Sequence, residues 1–160
     1  MRKSGTAMLL FTGEHRNKVD RKGRVSLPAD FRAELPEEDG RYIYIYPSPK
    51  WDSALEAIDR AQLEALTENI DSFGKYTQEQ EYFTTTILGR ARKLSIDGEG
   101  RIVLPEDFRN SAKIEDMAVF IGAGRQFHIW QPDLYAEYAS GVNRTSPNFT
   151  LPAGQRGANA

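Results

Sequence analysis

The sequence predicts an α+β protein: a small pseudo-two-fold β-barrel built from two β-hairpin–helix repeats, with further helices at its periphery. Three observations lead there. First, VDRKGRVSLPADFR at residues 19–32 aligns without a gap with IDGEGRIVLPEDFR at residues 96–109, at an offset of 77. Eight of the fourteen positions are identical: Asp20/Asp97, Gly23/Gly100, Arg24/Arg101, Leu27/Leu104, Pro28/Pro105, Asp30/Asp107, Phe31/Phe108 and Arg32/Arg109. Self-similarity of this kind marks a duplicated structural unit. Second, each copy reads as strand, glycine-ended turn, strand, proline and short helix. Third, the chain has 160 residues with 39% apolar content, enough for one packed core, whereas one copy alone is too small to bury its own sheet. Two halves that interleave around a shared core meet that need and protect their sheet edges.

Residues 1–8 form a basic arm, expected to be flexible, in which Arg2 and Lys3 could add phosphate contacts. The first repeat spans 9–60, a connecting helical segment 61–82, the second repeat 83–138, and a flexible tail rich in Gly, Asn, Ser and Pro closes the chain at 139–160. In the first repeat a strand at 15–19 runs into the turn D-R-K-G; in the second a strand at 92–96 runs into D-G-E-G. Asp suits the start of a tight turn, and Gly suits its end because it adopts a positive φ at little cost. Second strands are expected at 24–27 and 101–104. Pro28 and Pro105 stand at helix mouths, where a missing N–H is harmless. Short helices cover 28–35 and 105–112, with Phe31 and Phe108 turned inward.

A further hairpin is expected in each copy. The alternation Y-I-Y-I-Y in 41–46 ends in Pro-Ser-Pro; strands at 118–121 and 127–130 flank G-A-G-R at 122–125. The Y-I-Y-I-Y run suits sheet core and interface better than a base-stacking platform. Trp51 and Trp130 each precede a predicted helix, with Asp52 and Asp133 placed to cap its first turn. Residues 52–71 carry apolar side chains at 55, 58, 63, 66 and 70, a helical spacing, with acidic side chains opposite. A further helix begins within 76–86.

Composition removes several function classes. With no cysteine, disulfide frameworks, thiolate zinc sites, iron–sulfur clusters and cysteine nucleophiles are excluded. That absence fits a cytoplasmic protein. No run approaches the 18 apolar residues of a membrane-spanning helix, and the apolar stretch 7–11 is too short for a signal peptide. His15 and His128 are isolated, so no metal site is expected. The glycines of 98–101 and 122–125 lack phosphate-loop and dinucleotide spacing, and no cofactor is expected.

The net charge of −2 argues by itself against a nucleic-acid partner, but it conceals a partition. Residues 1–32 carry +5, residues 33–86 carry −8, residues 87–109 carry +1, and residues 110–160 are neutral. Salt screens charges beyond roughly 8 Å, so a remote acidic helix does not cancel a basic face. The basic residues of the first segment, Arg16, Lys18, Arg21, Lys22 and Arg24, cluster around the repeated turn. Arg is the side chain that reaches guanine O6 and N7 with two hydrogen bonds. Asp20, four residues before Arg24, would repel phosphate, and so serves to orient the arginine or close the turn.

The doubled D-x-K-G-R-x-x-x-P-x-x-[FL]-R pattern, with F-x-G at Phe11-Thr-Gly13, resembles the MraZ family over roughly residues 9–138. That resemblance implies two AbrB/SpoVT-like swapped-hairpin motifs in one chain. It also implies a non-enzymatic, nucleoid-associated transcriptional regulator that binds guanine-rich direct repeats in double-stranded DNA upstream of the division and cell-wall gene cluster, as a ring-shaped homo-oligomer. The family's DNA-facing Asp-x-x-x-Arg segments fall on Asp20/Arg24 and Asp97/Arg101. Lys22, Arg21, Lys18 and Arg16 are then phosphate contacts. The second copy departs from the pattern, with Gly98-Glu99 in place of Arg21-Lys22; Arg90, Arg92 and Lys93 partly restore its charge. The first copy is therefore expected to dominate, with Gly23 and Gly100 shaping both turns.

Two other roles can be weighed against the sequence. Asp20 and Asp97 could meet on the pseudo-two-fold axis as the acid/base pair of a hydrolase, but Arg21 and Lys22 beside Asp20 would lower its pKa. A ring scaffold could dock another protein on the acidic helix 52–71. Arg32 and Arg109, which come just after a core Phe on a helix, are expected to be structural.

Overall fold

The computed structural model describes residues 9–36, 41–145 and 148–153. The basic arm at 1–8 and positions 146–147 and 154–160 of the expected tail lie outside the described residues. Alternation in residues 14–18 makes β1 (Glu14–Lys18), with His15 and Asn17 half-buried and Glu14, Arg16 and Lys18 exposed. After the turn come β2 (Arg24–Ser26) and α1 (Ala29–Glu34). Helix α1 stops at Leu35 because Pro36 forces the preceding residue into an extended conformation, here φ −78° and ψ 147°. Strands β3 (Tyr42–Pro47) and β4 (Ala54–Ile58) form a hairpin, succeeded by α2 (Arg60–Asp71) and α3 (Gln78–Phe83), which continues into a π-helical turn at Thr84–Leu88. The second half repeats the order: β5 (Arg92–Ser95), β6 (Arg101–Val103), α4 (Glu106–Ala112), β7 (Met117–Gly122), β8 (Phe127–Trp130) and α5 (Pro132–Thr145).

The paired strands run β1-β7-β8-β4-β3-β5, all antiparallel, and β2 pairs with β6 in a separate two-stranded ribbon. Exchanging the two halves of the chain reverses this order onto itself. β1 finds its partner in the second half (β7) and β5 in the first half (β3), so each half completes the other's sheet.

Phe11, Phe31 and Phe127 meet at the centre with ring centroids 5.3, 5.0 and 4.8 Å apart. Phe31 and Phe108, the inward residues of α1 and α4, are 0% and 1% exposed, each worth about 1.5–3 kcal/mol of burial. The F-x-G segment closes this core: Phe11 exchanges two backbone hydrogen bonds with Gly124, at 2.8 and 3.0 Å. A Cβ on Gly122 would come within 2.5 Å of the Phe11 backbone, so the G-A-G-R loop is a close-approach site and not a phosphate cradle.

The helix expected over 52–71 is corrected by the structure. Residues 54–58 are strand β4, and α2 starts only at Arg60, with Asp59 in place of Asp52 as its cap, accepting from Gln62 N at 2.9 Å. All five β4 residues are buried between β3 and β8, so the strand shows no polar/apolar alternation, and its Ala, Leu and Glu are good helix formers that tertiary pairing overrides. Trp51 accordingly precedes a strand; it packs 6.1 Å from Trp130 and 5.5 Å from Tyr138. Helix α5 continues to Thr145, inside the segment expected as a flexible tail. Its Tyr138 stacks on Trp130 at 5.1 Å, which anchors it.

At the sheet centre, Glu56 and His128 lie opposite each other on β4 and β8. Tyr46 Oη donates to Glu56 Oε1 at 2.9 Å, and His128 Nε2 lies 3.1 Å from the Gln126 amide nitrogen, which makes His128 Nε2 the acceptor. Burial lowers the His128 pKa, with the Glu56 charge opposing it. A histidine held neutral in the fold stabilises fully above its unfolded pKa near 6.5, and that stability is lost as pH falls. His128→Gln is therefore expected to flatten the decline of the urea midpoint between about pH 7 and pH 5. Identical pH profiles in both proteins would contradict this.

Candidate nucleic-acid interface

Each repeated turn is closed by its aspartate. Asp20 O accepts from Gly23 N at 2.9 Å, and Asp20 N donates to Arg24 O at 3.0 Å. Its carboxylate also holds the next residues of the turn: Oδ1 accepts the amides of Lys22 and Arg24, both at 2.9 Å, and Oδ2 accepts Arg24 Nε at 2.6 Å. The second turn repeats this bond for bond. Asp97 Oδ1 accepts from Glu99 N at 2.8 Å and Arg101 N at 2.9 Å, and Oδ2 accepts Arg101 Nε at 3.0 Å. Both aspartates therefore contact the arginine four residues on and close their own turn.

The backbone amides of Arg24 and Arg101, then the guanidinium contacts, hold the Asp20 and Asp97 carboxyls below the usual carboxylate range. Both are ionised at neutral pH, so neither retains the proton a hydrolytic pair would share. Among the described residues, no group of three or more His, Cys, Asp or Glu side chains could hold a metal ion.

Gly23 and Gly100 adopt φ of +86° and +81°. Each also touches the opposite repeat: Gly23 O accepts from Leu104 N at 2.8 Å and Gly100 O from Leu27 N at 2.9 Å. A Cβ on Gly23 would sit 2.6 Å from Leu104 O, and one on Gly100 would sit 2.5 Å from Arg32 Cδ. Arg32 and Arg109 are structural, as expected. They donate to Leu27 O at 2.7 Å and Leu104 O at 3.0 Å, and so fasten each helix to the strand before it.

The ribbon pairs Arg24 with Val103, Val25 with Ile102 and Ser26 with Arg101. Val25 and Ile102 are each 1% exposed and face the core, which turns Arg24, Ser26, Arg101 and Val103 to the outer face. Lys18, Asp20, Arg24, Ser26, Arg101 and Asp116 line one concavity there. Arg21 and Lys22 are exposed on the first turn, so three cations surround one carboxylate. The second turn has one cation, Arg101, and two carboxylates; Arg101 Nη2 donates to Glu99 Oε1 at 3.1 Å.

The remaining expected contacts are dispersed. Arg16 is exposed on β1, beside a second concavity that includes Lys113 and Asp133. Arg92 and Lys93 lie on β5, the opposite edge of the six-stranded sheet from Arg16 and Lys18, and Arg90 lies in the turn before that strand. Arg92 is bound by Asp107 through two bonds of 2.9 and 2.7 Å and lies 4.8 Å from the Phe108 ring centroid, while Lys93 lies 4.1 Å from that of Tyr42. Sequence reasoning passed over the outward positions Ser26 and Val103. Strand alternation on either side of buried Val25 and Ile102 was the signal that could have found them.

Comparison with known proteins finds a match that spans both repeats. The family model described as "MraZ protein, putative antitoxin-like" matches residues 10–74 and 87–150. The "Transcriptional regulator MraZ" of Rickettsia bellii (strain OSU 85-389) is 41% identical over 128 residues, covering 80% of this chain and 85% of the relative. That of Rickettsia rickettsii (strain Sheila Smith) is 38% identical over 137 residues, covering 86% and 91%. That of Rickettsia akari (strain Hartford) is 36% identical over 146 residues, covering 90% and 97%.

The turn geometry has a direct test. Gly23→Ala combines a left-handed φ with a backbone clash and is expected to destabilise by about 1–3 kcal/mol, read as a lower thermal midpoint. An unchanged melting curve would contradict the role given to Gly23.

Proposed function

The chain belongs to the MraZ family, and from that premise we propose that it is a sequence-specific DNA-binding transcriptional regulator and not an enzyme. One observation carries the proposal: Arg24 and Arg101, each clamped by its own turn aspartate, stand together on the outer face of a two-stranded ribbon. A two-stranded β-ribbon fits the major groove of B-DNA, where an arginine fork reads guanine O6 and N7. Arg24 spends only its Nε on Asp20, which leaves both terminal nitrogens for a base. Arg101 gives one terminal nitrogen to Glu99. The first repeat therefore dominates base reading, and Lys18, Arg21, Lys22 and Arg16 contact phosphates, which position the protein without reading sequence. Arg90, Lys93 and Arg92, the last paired with Asp107, add phosphate contacts near the other sheet edge.

The strand order that reverses onto itself, together with the ribbon shared between halves, supports a small pseudo-two-fold barrel of two AbrB/SpoVT-like units. One ribbon offers few contacts. A ring-shaped homo-oligomer facing guanine-rich direct repeats would multiply them through effective concentration. The proposed site of action is the promoter region of the division and cell-wall gene cluster, in the nucleoid of the cytoplasm. One observation favours a second role as a scaffold for another protein: Phe73, Tyr76 and Tyr82 are exposed around the α2–α3 bend, among acidic side chains.

On DNA from the region upstream of its own gene, Arg24→Ala is expected to weaken specific binding by about 1–3 kcal/mol for each lost guanine contact, and Arg101→Ala by less. Lys22→Ala should weaken all sequences alike and lower the salt slope by about one. Gel shifts at two salt concentrations check both; unchanged binding by Arg24→Ala would overturn the base-reading assignment, and salt-independent binding the DNA role itself.

A further inference from the structure

The outer face of the ribbon is almost symmetric. It consists of two cross-strand pairs, Arg24 with Val103 and Arg101 with Ser26. Exchange of the two repeats carries one pair onto the other: Arg24 maps to Arg101, and Ser26 to Val103, at the same offset of 77. The guanidinium is thus repeated, whereas its companion is a hydroxyl at one end and a β-branched apolar side chain at the other. Val103 is 51% exposed, although the ribbon's other apolar side chains, Val25 and Ile102, are buried to 1%. The core does not need it, and solvent does not favour it.

We infer that Val103 is a specificity-determining residue that seats on a thymine 5-methyl group beside the guanine read by Arg24. This rests on the DNA reading proposed above. In the major groove the thymine methyl is the apolar feature among hydrogen-bonding base edges, and small apolar side chains recognise it by contact. Directly opposed residues on a ribbon have Cβ atoms about 4.5–5.5 Å apart, so Val103 faces a base pair next to the guanine read by Arg24. Arg24 and Arg101 are diagonal neighbours at about 7–8 Å, the span of roughly two base-pair steps of 3.4 Å. Ser26 beside Arg101 can donate or accept and accommodates several bases. The Val103/Ser26 difference thus joins the unequal turns in distinguishing the two ends of the ribbon.

Deoxyuridine lacks only the methyl group, so it gives a direct test. The full-length protein is titrated by fluorescence anisotropy against the DNA upstream of its gene, with each thymine replaced in turn by deoxyuridine. Wild type should lose about three- to fivefold in affinity at one thymine adjacent to an essential guanine, the effect of one buried methyl. Val103→Ser should lose that sensitivity. Val103→Thr, which keeps the branch and one methyl, should retain part of it, and circular dichroism checks that each variant is folded. Uniform tolerance of deoxyuridine by wild type, or an undiminished penalty in folded Val103→Ser, overturns the inference. Arg24-dependent binding without thymine sensitivity would leave the DNA reading standing and remove this inference alone. Binding indifferent to Arg24 would remove both.

Discussion

Backbone hydrogen bonding across the duplication is the constraint on which everything else rests. Buried amides and carbonyls must be paired, and neither half can pair its own. The edge strand of each half is completed by the other half, β1 by β7 and β5 by β3, and the ribbon takes one strand from each. A lone two-stranded hairpin is marginal in water, so the halves fold as one unit. The crossing bonds Gly23 O to Leu104 N and Gly100 O to Leu27 N lock the two turns to the opposite strands. That is why the glycines tolerate no side chain, and why two arginines far apart in sequence arrive on adjacent strands of one face.

The same turns distribute charge unevenly in an acidic protein. Asp20 and Asp97 place a carboxylate at the head of each turn. Each fixes its arginine through Nε, which limits that side chain's rotamer freedom. Around Asp20 the surrounding Arg21, Lys22 and Arg24 outweigh the carboxylate; around Asp97 the added Glu99 reverses the balance. Duplication preserved the geometry of the clamp to within a few tenths of an ångström in its hydrogen bonds while its electrostatics diverged.

The legible parts of the fold were those where local chemistry and global position agree. Pro28 and Pro105 mark helix mouths, Phe31 and Phe108 are buried, and both D-x-x-G turns close as turns because each residue's own preference already points there. The illegible part was 54–58. Its apolar residues lie at helical spacing with those of α2, and only its place between β3 and β8 makes it a strand. Trp51 misled for a related reason: the hairpin loop is longer in the first copy, so the two tryptophans are not equivalent, and only Trp130, which ends β8, leads into a helix with Asp133 in its first turn. At the site, the Asp–Arg pairs were readable from their spacing. The commitment of Arg92 to Asp107 was not, because it joins two elements that only folding brings together.

The sequence by itself determined the duplication, the turn chemistry, the inward-facing aromatics and the partition of charge, all of which reside in residues close together along the chain. The tertiary structure decided which strand pairs with which, and thereby which side chains share a surface. Arg24 and Arg101 stand on one face with Ser26 and Val103 because backbone groups of one half are satisfied by those of the other, a requirement that acts through space and leaves no periodic trace in the order of residues.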